Sequence, residues 1–250
     1  MEDIANMDII GNPDVQSEYW DYQMWNDNCA VAAETSIIRQ FGYDVNQGDM
    51  AYFSHANGWY QPGGGTSEAY VGNLIESFGI GTHTVPNASV ADLAAELQAG
   101  HGVVIGVRSD QLWETNDPFQ ELIHFLAKMC GLDTSEYFPA DHAITVTGIS
   151  SDGKYVFVND SGVPDGAANQ YPIDKFMDAW ENGNFTYIAT NEPLPSLSQG
   201  NAMPDLDLSK WIPSGAAFAT SFLTGSVALG VIAGSVVEGL MNDESFARMI

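Results

Sequence analysis

The hydrophobic period of this sequence changes once along the chain, from helix-like to strand-like, and that order restricts the fold more than any other feature. From Cys29 the run CAVAAETSIIRQF places Ala30, Ala33, Ile37 and Phe41 on one stripe at helical spacing. Asn26, Asp27 and Asn28 stand before it, able to cap its free amides, and Gly42 closes it. A helix with a cysteine in its first turn is therefore expected. A short helix from Gln47 to about His55 follows, then a break at Gly63-Gly64-Gly65 and a helix from Thr66 or Ser67 to Phe78. Ser89 with Asp92 resembles a capping box for a helix to about Gln98, ended by Gly100. Beyond that point the period shortens. Val103–Val107 suits a buried strand, and His142–Ile149 and Tyr155–Val158 read as two strands joined through Ser150-Ser151-Asp152-Gly153. A helix over Pro172–Trp180 and a closing strand over Phe185–Ala189 complete the pattern. Helices first and strands later define an α+β fold rather than a regular βαβ alternation.

The expected layout is an N-terminal arm over 1–18, with a turn at Gly11-Asn12-Pro13-Asp14, and a folded domain over 19–192. A linker over 193–213 follows, marked by Pro193, Pro195, Pro204 and Pro213, and then a C-terminal apolar segment over 214–250. Between Arg108 and Asp141 a stretch with a helix over 118–129 reads either as an insertion that covers a cleft or as a structural excursion. Residues 216–237 carry no charge, and as a helix they would run about 33 Å, enough to cross a bilayer. Ser226, Gly230 and Gly234 recur at four-residue spacing, which lets helices approach closely. Thirteen of the 22 residues are Ala, Gly, Ser or Thr, so apolarity is low for a span. Membrane association and a packing, self-association or export-recognition helix both stay open.

Charge narrows the partners. Asp and Glu number 33 against 7 Lys and Arg, a formal net charge of -26, and such a surface repels phosphate backbones, which argues against nucleic acid. The acids are scattered rather than gathered into a tail, which favours a surface suited to solubility or high salt over a field that attracts cationic peptides or metal ions. The N-terminal residues have neither a basic n-region nor an apolar h-region, so the cytoplasm is the default compartment, with membrane association or another export route left open. Two cysteines, Cys29 and Cys130, are too few for a disulfide framework. His55 and His101 show no spacing to each other or to acids that suggests zinc.

A cysteine that opens a helix is most often a small buried residue. Here three further residues accompany it. Gln23 lies just before Cys29 in QMWNDNC, within reach to share an oxyanion with the Cys29 backbone N–H. His142 opens one hairpin strand in DHAITVTGI, and Asp160 ends the other in KYVFVNDSG, so the two ends lie side by side. A helix N-terminus favours thiolate, and a nearby imidazole would take its proton. The set reads as a nucleophile (Cys29), a base (His142), its orienting acid (Asp160) and an oxyanion donor (Gln23). A one-residue slip of register would put Asn159 in the place of Asp160. Trp25 and Trp59 are candidates for a cleft wall, although core packing is the commoner role.

QMWNDNCAVAA, DHAITVTGI and YVFVND resemble the Gln/Cys, His and Asp blocks of papain-like cysteine peptidases. The spacing is most similar to that of the bacteriocin-leader (double-glycine) processing peptidases and their stand-alone relatives, over roughly Ser17 to Thr190. The resemblance implies a papain-like fold, with an N-terminal helical part whose Cys29 helix packs on a C-terminal antiparallel sheet. It also implies thiol acyl transfer on a peptide or protein substrate without a cofactor. Two positions depart from the pattern: Ala30 stands where Gly commonly follows the cysteine, and Ser161 where Pro often follows the aspartate. Peptide hydrolysis is the leading expectation. Acyl or amide transfer on the same fold is the second, and a catalytically silent peptide-binding module is the third.

Overall fold

The computed structural model describes residues 7–113, 126, 129 and 139–199, which belong to one folded unit that ends by Asp207. The apolar segment expected over 214–250 and Cys130 lie outside the described residues, as does most of the helix expected over 118–129. Among the described residues no helix is long and apolar enough to cross a membrane.

In chain order the elements are β1 (Ile9–Gly11), α1 (Pro13–Ser17), α2 (Cys29–Gln40), α3 (Gln47–Ala56), β2 (Tyr60–Gln61) and β3 (Gly65–Thr66). After a 3₁₀ turn at Glu68–Tyr70 come α4 (Asn73–Glu76), β4 (Thr82–Val85), α5 (Val90–Ala99), β5 (Val103–Val107) and α6 (Ser109–Trp113). Then follow β6 (His142–Ser150), β7 (Tyr155–Asn159), β8 (Asn169–Pro172), α7 (Ile173–Glu181), β9 (Tyr187–Thr190) and a 3₁₀ turn at Pro195–Gln199. Strands β4-β9-β5-β6-β7-β8 form one antiparallel sheet, and β1 pairs with the far half of β6. The α+β order expected from the hydrophobic period is the order observed.

Helix α2 is buried on nearly every face. Ala30, Val31, Ala33, Ile37 and Ile38 join Met50 and Ala51 of α3, Leu74 and Ile75 of α4, and Val104 and Ala143 of the sheet in one apolar cluster. Strand β6 is buried along its whole length, because α2 covers one part of it and β1 closes its far end. A helix pinned on both sides fixes its first residue, and that residue is Cys29.

Local detail differs from expectation in places. In the N-terminal arm, whose described residues begin at 7, Ile10 is buried and Ile9–Gly11 pairs with Gly148–Ser150. A Cβ on Gly148 would lie 2.8 Å from both Ile9 and Pro13, so that glycine is what admits the N-terminal segment. The linker expected from residue 193 begins inside the core: Leu194 is fully buried and its N–H donates to Gly100 O at 2.8 Å. The prolines on either side carry the linker signal, and one leucine between them is too short a run to oppose it. The single helix expected up to Phe78 is broken at Gly72, which holds φ at +99°. An ordinary residue is strained at that angle.

The partner of that break is Glu34, buried on α2. Its Oε2 accepts from the backbone N–H groups of Gly72, Leu74 and Ile75 at 3.0, 3.1 and 3.3 Å. Burial, opposed by those three bonds, pushes its carboxyl up to about 8 from an ordinary value of 4.5. The folded chain therefore takes up a proton here that the unfolded chain does not hold. Its contribution to stability is full below 4.5 and is lost as pH rises through about 8. The slope is at most about 1.4 kcal/mol per pH unit. Urea unfolding of Glu34→Gln, which keeps an acceptor but cannot ionise, is expected to lack this slope between pH 5 and 8; a slope identical to the parent's contradicts the assignment.

Candidate active site

The residues singled out from the sequence come from four separate elements. Cys29 is the first residue of α2, His142 the first of β6, Asp160 follows the last residue of β7, and Gln23 sits in the loop between α1 and α2. The structure joins His142 to Asp160 directly and places Cys29 with His142 on one cleft. His142 Nε2 lies 2.7 Å from Asp160 Oδ1, which leaves Nδ1 as the ring nitrogen open to the Cys29 thiol. Pairing of Val107 with His142 places the imidazole at the end of β5, and the β6–β7 ladder brings the turn at Asp160 alongside.

The register question is resolved by where Asn159 points its side chain. Its Nδ2 donates to Gln16 O at 2.9 Å and its Oδ1 accepts from Ala168 N–H at 3.0 Å. It faces the N-terminal segment, and Asp160 faces His142.

Asp160 is fully buried, and its carboxylate is saturated with donors. Oδ1 accepts from His142 and from the Gly162 N–H at 2.9 Å; Oδ2 accepts from Trp113 Nε1 at 2.8 Å and from the Tyr171 hydroxyl at 3.2 Å. Burial alone would raise its pKa, yet the hydrogen bond and charge of His142, with the Trp113 and Gly162 bonds, hold it below the usual carboxylate range. For His142, burial favours the neutral ring, but bonds to Asp160 and Cys29 and their charges outweigh it and push the imidazole up to about 10. At Cys29 burial pushes the thiol up, and the bond to and charge of His142, aided by the Ala143 and Ala30 N–H groups, bring it below its ordinary range. The three directions are mutually consistent: each neighbour favours the charged form of the next along Cys29, His142 and Asp160.

The expectation that Asn26, Asp27 or Asn28 caps α2 is not met. Asn28 holds the N-cap position without a side-chain cap bond. Its amide is fully buried and turned to the preceding loop, accepting from Trp25 N–H at 3.0 Å and donating to Gln47 Oε1 at 3.1 Å. Gln47 Oε1 also accepts from Met24 N–H at 3.2 Å, so α3 orders the loop that carries Gln23. The α2 amides are thus left to the Cys29 sulfur, and Ala30 N–H is the one that reaches it. Gln23 is held by the turn after β7: its N–H donates to Ser161 O at 2.9 Å.

Cys29 and His142 line a cleft of about 330 Å³. Gly64-Gly65-Thr66 forms one wall, and Pro139-Ala140-Asp141 with Asn182-Gly183-Asn184 forms another. Neither Trp25 nor Trp59 is among the residues lining it. Trp59 stacks edge-on against Phe53 at 6.0 Å. The aromatic residue that does serve the site is Trp113, whose ring packs edge-on against His142 with centroids 5.0 Å apart while its N–H holds Asp160. Trp20 adds a 2.8 Å bond from Nε1 to the Asp160 carbonyl. The sequence gives no sign of these two tryptophans or of Tyr171 at the site. They reach Asp160 from separate elements, and no spacing along the chain links them to it.

A sequence model of the Peptidase_C39 like family matches residues 16–188. The chain belongs to that family, one of cysteine peptidases. Uncharacterized proteins of Mycobacterium tuberculosis and Mycobacterium bovis are each 26% identical to it over 203 residues, covering 71% of this chain and 82% of their own. A crystal structure from Bacillus anthracis, assigned to the C39-like peptidases, shares the fold with a TM-score of 0.50 at 15% identity. It covers 74% of this chain and 98% of its own.

Proposed function

We propose that this chain hydrolyses peptide bonds by covalent acyl transfer through Cys29. The observation that carries this is that Cys29 and His142 line one cleft, with His142 held from behind by Asp160 at 2.7 Å. The Cys29 thiolate attacks the substrate carbonyl carbon, and the resulting oxyanion accepts hydrogen bonds from the Cys29 backbone N–H and the Gln23 side-chain amide. His142 donates its Nδ1 proton to the departing amine. The same nitrogen then takes a proton from water, which attacks the thioester and releases the carboxylate product. Asp160 stays ionised throughout and holds the imidazole by its Nε2. Burial of Asp160 behind Trp113 and Tyr171 keeps water from competing for that bond.

Incubation of the full chain with a diverse peptide library, read by mass spectrometry, tests this. The wild type is expected to cleave a subset of peptides and to accumulate acyl-enzyme on Cys29 when quenched in acid. Cys29→Ala is expected to cleave none. Cleavage that survives Cys29→Ala overturns the proposal. Added amines that divert the acyl group faster than water does would replace hydrolysis with acyl transfer to an amine, and binding without any acyl-enzyme would mark a silent peptide-binding module.

A further inference from the structure

Ser161 grips Gln23 at both ends. Its carbonyl accepts from the Gln23 backbone N–H at 2.9 Å, and its hydroxyl donates to Gln23 Oε1 at 3.3 Å. Ser161 is itself buried and immediately follows Asp160. A carboxamide is nearly symmetric in shape, but only its NH₂ end donates, and an oxyanion needs a donor. With the oxygen end occupied by the serine, Nε2 is the end that finds no acceptor among the described residues.

We propose that Ser161 is a positioning residue that fixes the Gln23 carboxamide so that its NH₂ group, and not its oxygen, is presented to the reacting carbonyl; this rests on the oxyanion role given to Gln23 above. A flipped amide would set a lone pair against the developing negative charge and oppose the reaction. One turn then aligns two parts of the site: Asp160 orients the base, and the next residue orients the oxyanion donor.

Two probes of Cys29 separate this role from general damage. Iodoacetamide alkylates the sulfur by direct displacement of iodide, with no carbonyl oxyanion, so it reads the thiolate alone. p-Nitrophenyl acetate is attacked at its carbonyl: the sulfur–carbon bond forms, the oxyanion collapses, and p-nitrophenolate leaves with the electron pair of the broken C–O bond. Alkylation is read at Cys29 by peptide mass spectrometry, and ester turnover with the Cys29→Ala rate subtracted, both on the full chain. Gln23→Ala is expected to slow acetylation by about 10²-fold with alkylation unchanged. Ser161→Ala is expected to slow acetylation roughly tenfold, also with alkylation unchanged, and Ser161→Thr to restore it. The double variant Gln23→Ala/Ser161→Ala is expected to be no slower than Gln23→Ala alone, since the serine acts only through the glutamine. Thermal unfolding is followed in parallel, and Ser161→Cys replaces Ser161→Ala if the latter unfolds below the assay temperature.

Wild-type acetylation by Ser161→Ala, an equal loss of alkylation, or additive losses in the double variant would each overturn the inference while leaving the role of Gln23 standing. An unchanged acetylation rate in Gln23→Ala would instead remove the oxyanion role, and the serine's role with it.

Discussion

Asp160→Asn is expected to lower the acyl-transfer rate at Cys29 by on the order of 10³-fold or more and to lower the melting temperature as well. The carboxylate is surrounded by four donors, from His142, Gly162, Trp113 and Tyr171, and offers acceptors to all of them. An amide turns one of the two oxygens into a donor. If that NH₂ faces His142, Nε2 must accept from it and cannot carry a proton, so the imidazolium that pairs with the thiolate is lost. If it faces Trp113 and Tyr171, two buried donors lose their acceptor, at about 1–3 kcal/mol each. Breaking a buried charge pair costs about 3–5 kcal/mol in its own right. Tyr171→Phe removes one donor of the four and is expected to have a far smaller effect on both quantities. Ester turnover and calorimetry on the two variants check this. An Asp160→Asn protein with near-parent turnover would mean that His142 is oriented by something else.

His142→Ala has the second large effect, on the pH dependence of the thiol rather than on the fold. Against the cost of burial, the Cys29 thiol is lowered chiefly by the hydrogen bond and charge of the imidazole. Without them only the Ala30 and Ala143 N–H groups remain, and burial pushes the thiol back to or above the ordinary range near about 8.5. Alkylation at pH 6 is then expected to fall by on the order of 10²-fold or more, recovering as the pH approaches 9. A His142→Ala profile that overlays the parent's would show that the helix terminus alone sustains the thiolate.

Much of the fold and the site is legible in the sequence wherever the signals are local. A capping box, a closing glycine and a helical stripe each depend on a few neighbouring residues, and the helix opened by Cys29 and the helix after Ser89 appear within a residue or so of expectation. That the hairpin ends lie side by side is legible for a related reason, since the turn lies between the strands; which of Asn159 and Asp160 faces His142 is not, because a slip of one residue exchanges them. Long-range pairing carries no such signal. The N-terminal segment lies on β6 because Gly148 leaves room for it, and nothing near Ile9 in the sequence announces that. Leu194 resembles part of a proline-marked linker because burial by distant residues leaves no local trace. Glu34, a charged residue type on the core face of a helix, gives no warning that it holds the amides of residues 72–75. Ser161 is visible in the sequence only as a departure from a family pattern. Its bond to Gln23 depends on a loop packing against a turn far along the chain.

The central claim is that Cys29 rests as a thiolate paired with a protonated His142. The most direct measurement is the rate of iodoacetamide alkylation between pH 4 and 9, resolved at Cys29 and Cys130 by mass spectrometry on the wild-type chain. Fast alkylation of Cys29 at pH 5, with Cys130 following the slow rise of an ordinary thiol, is the expected result. If Cys29 stays inert until pH 8 or tracks Cys130 throughout, the ion pair does not exist and the proposed acyl transfer fails with it.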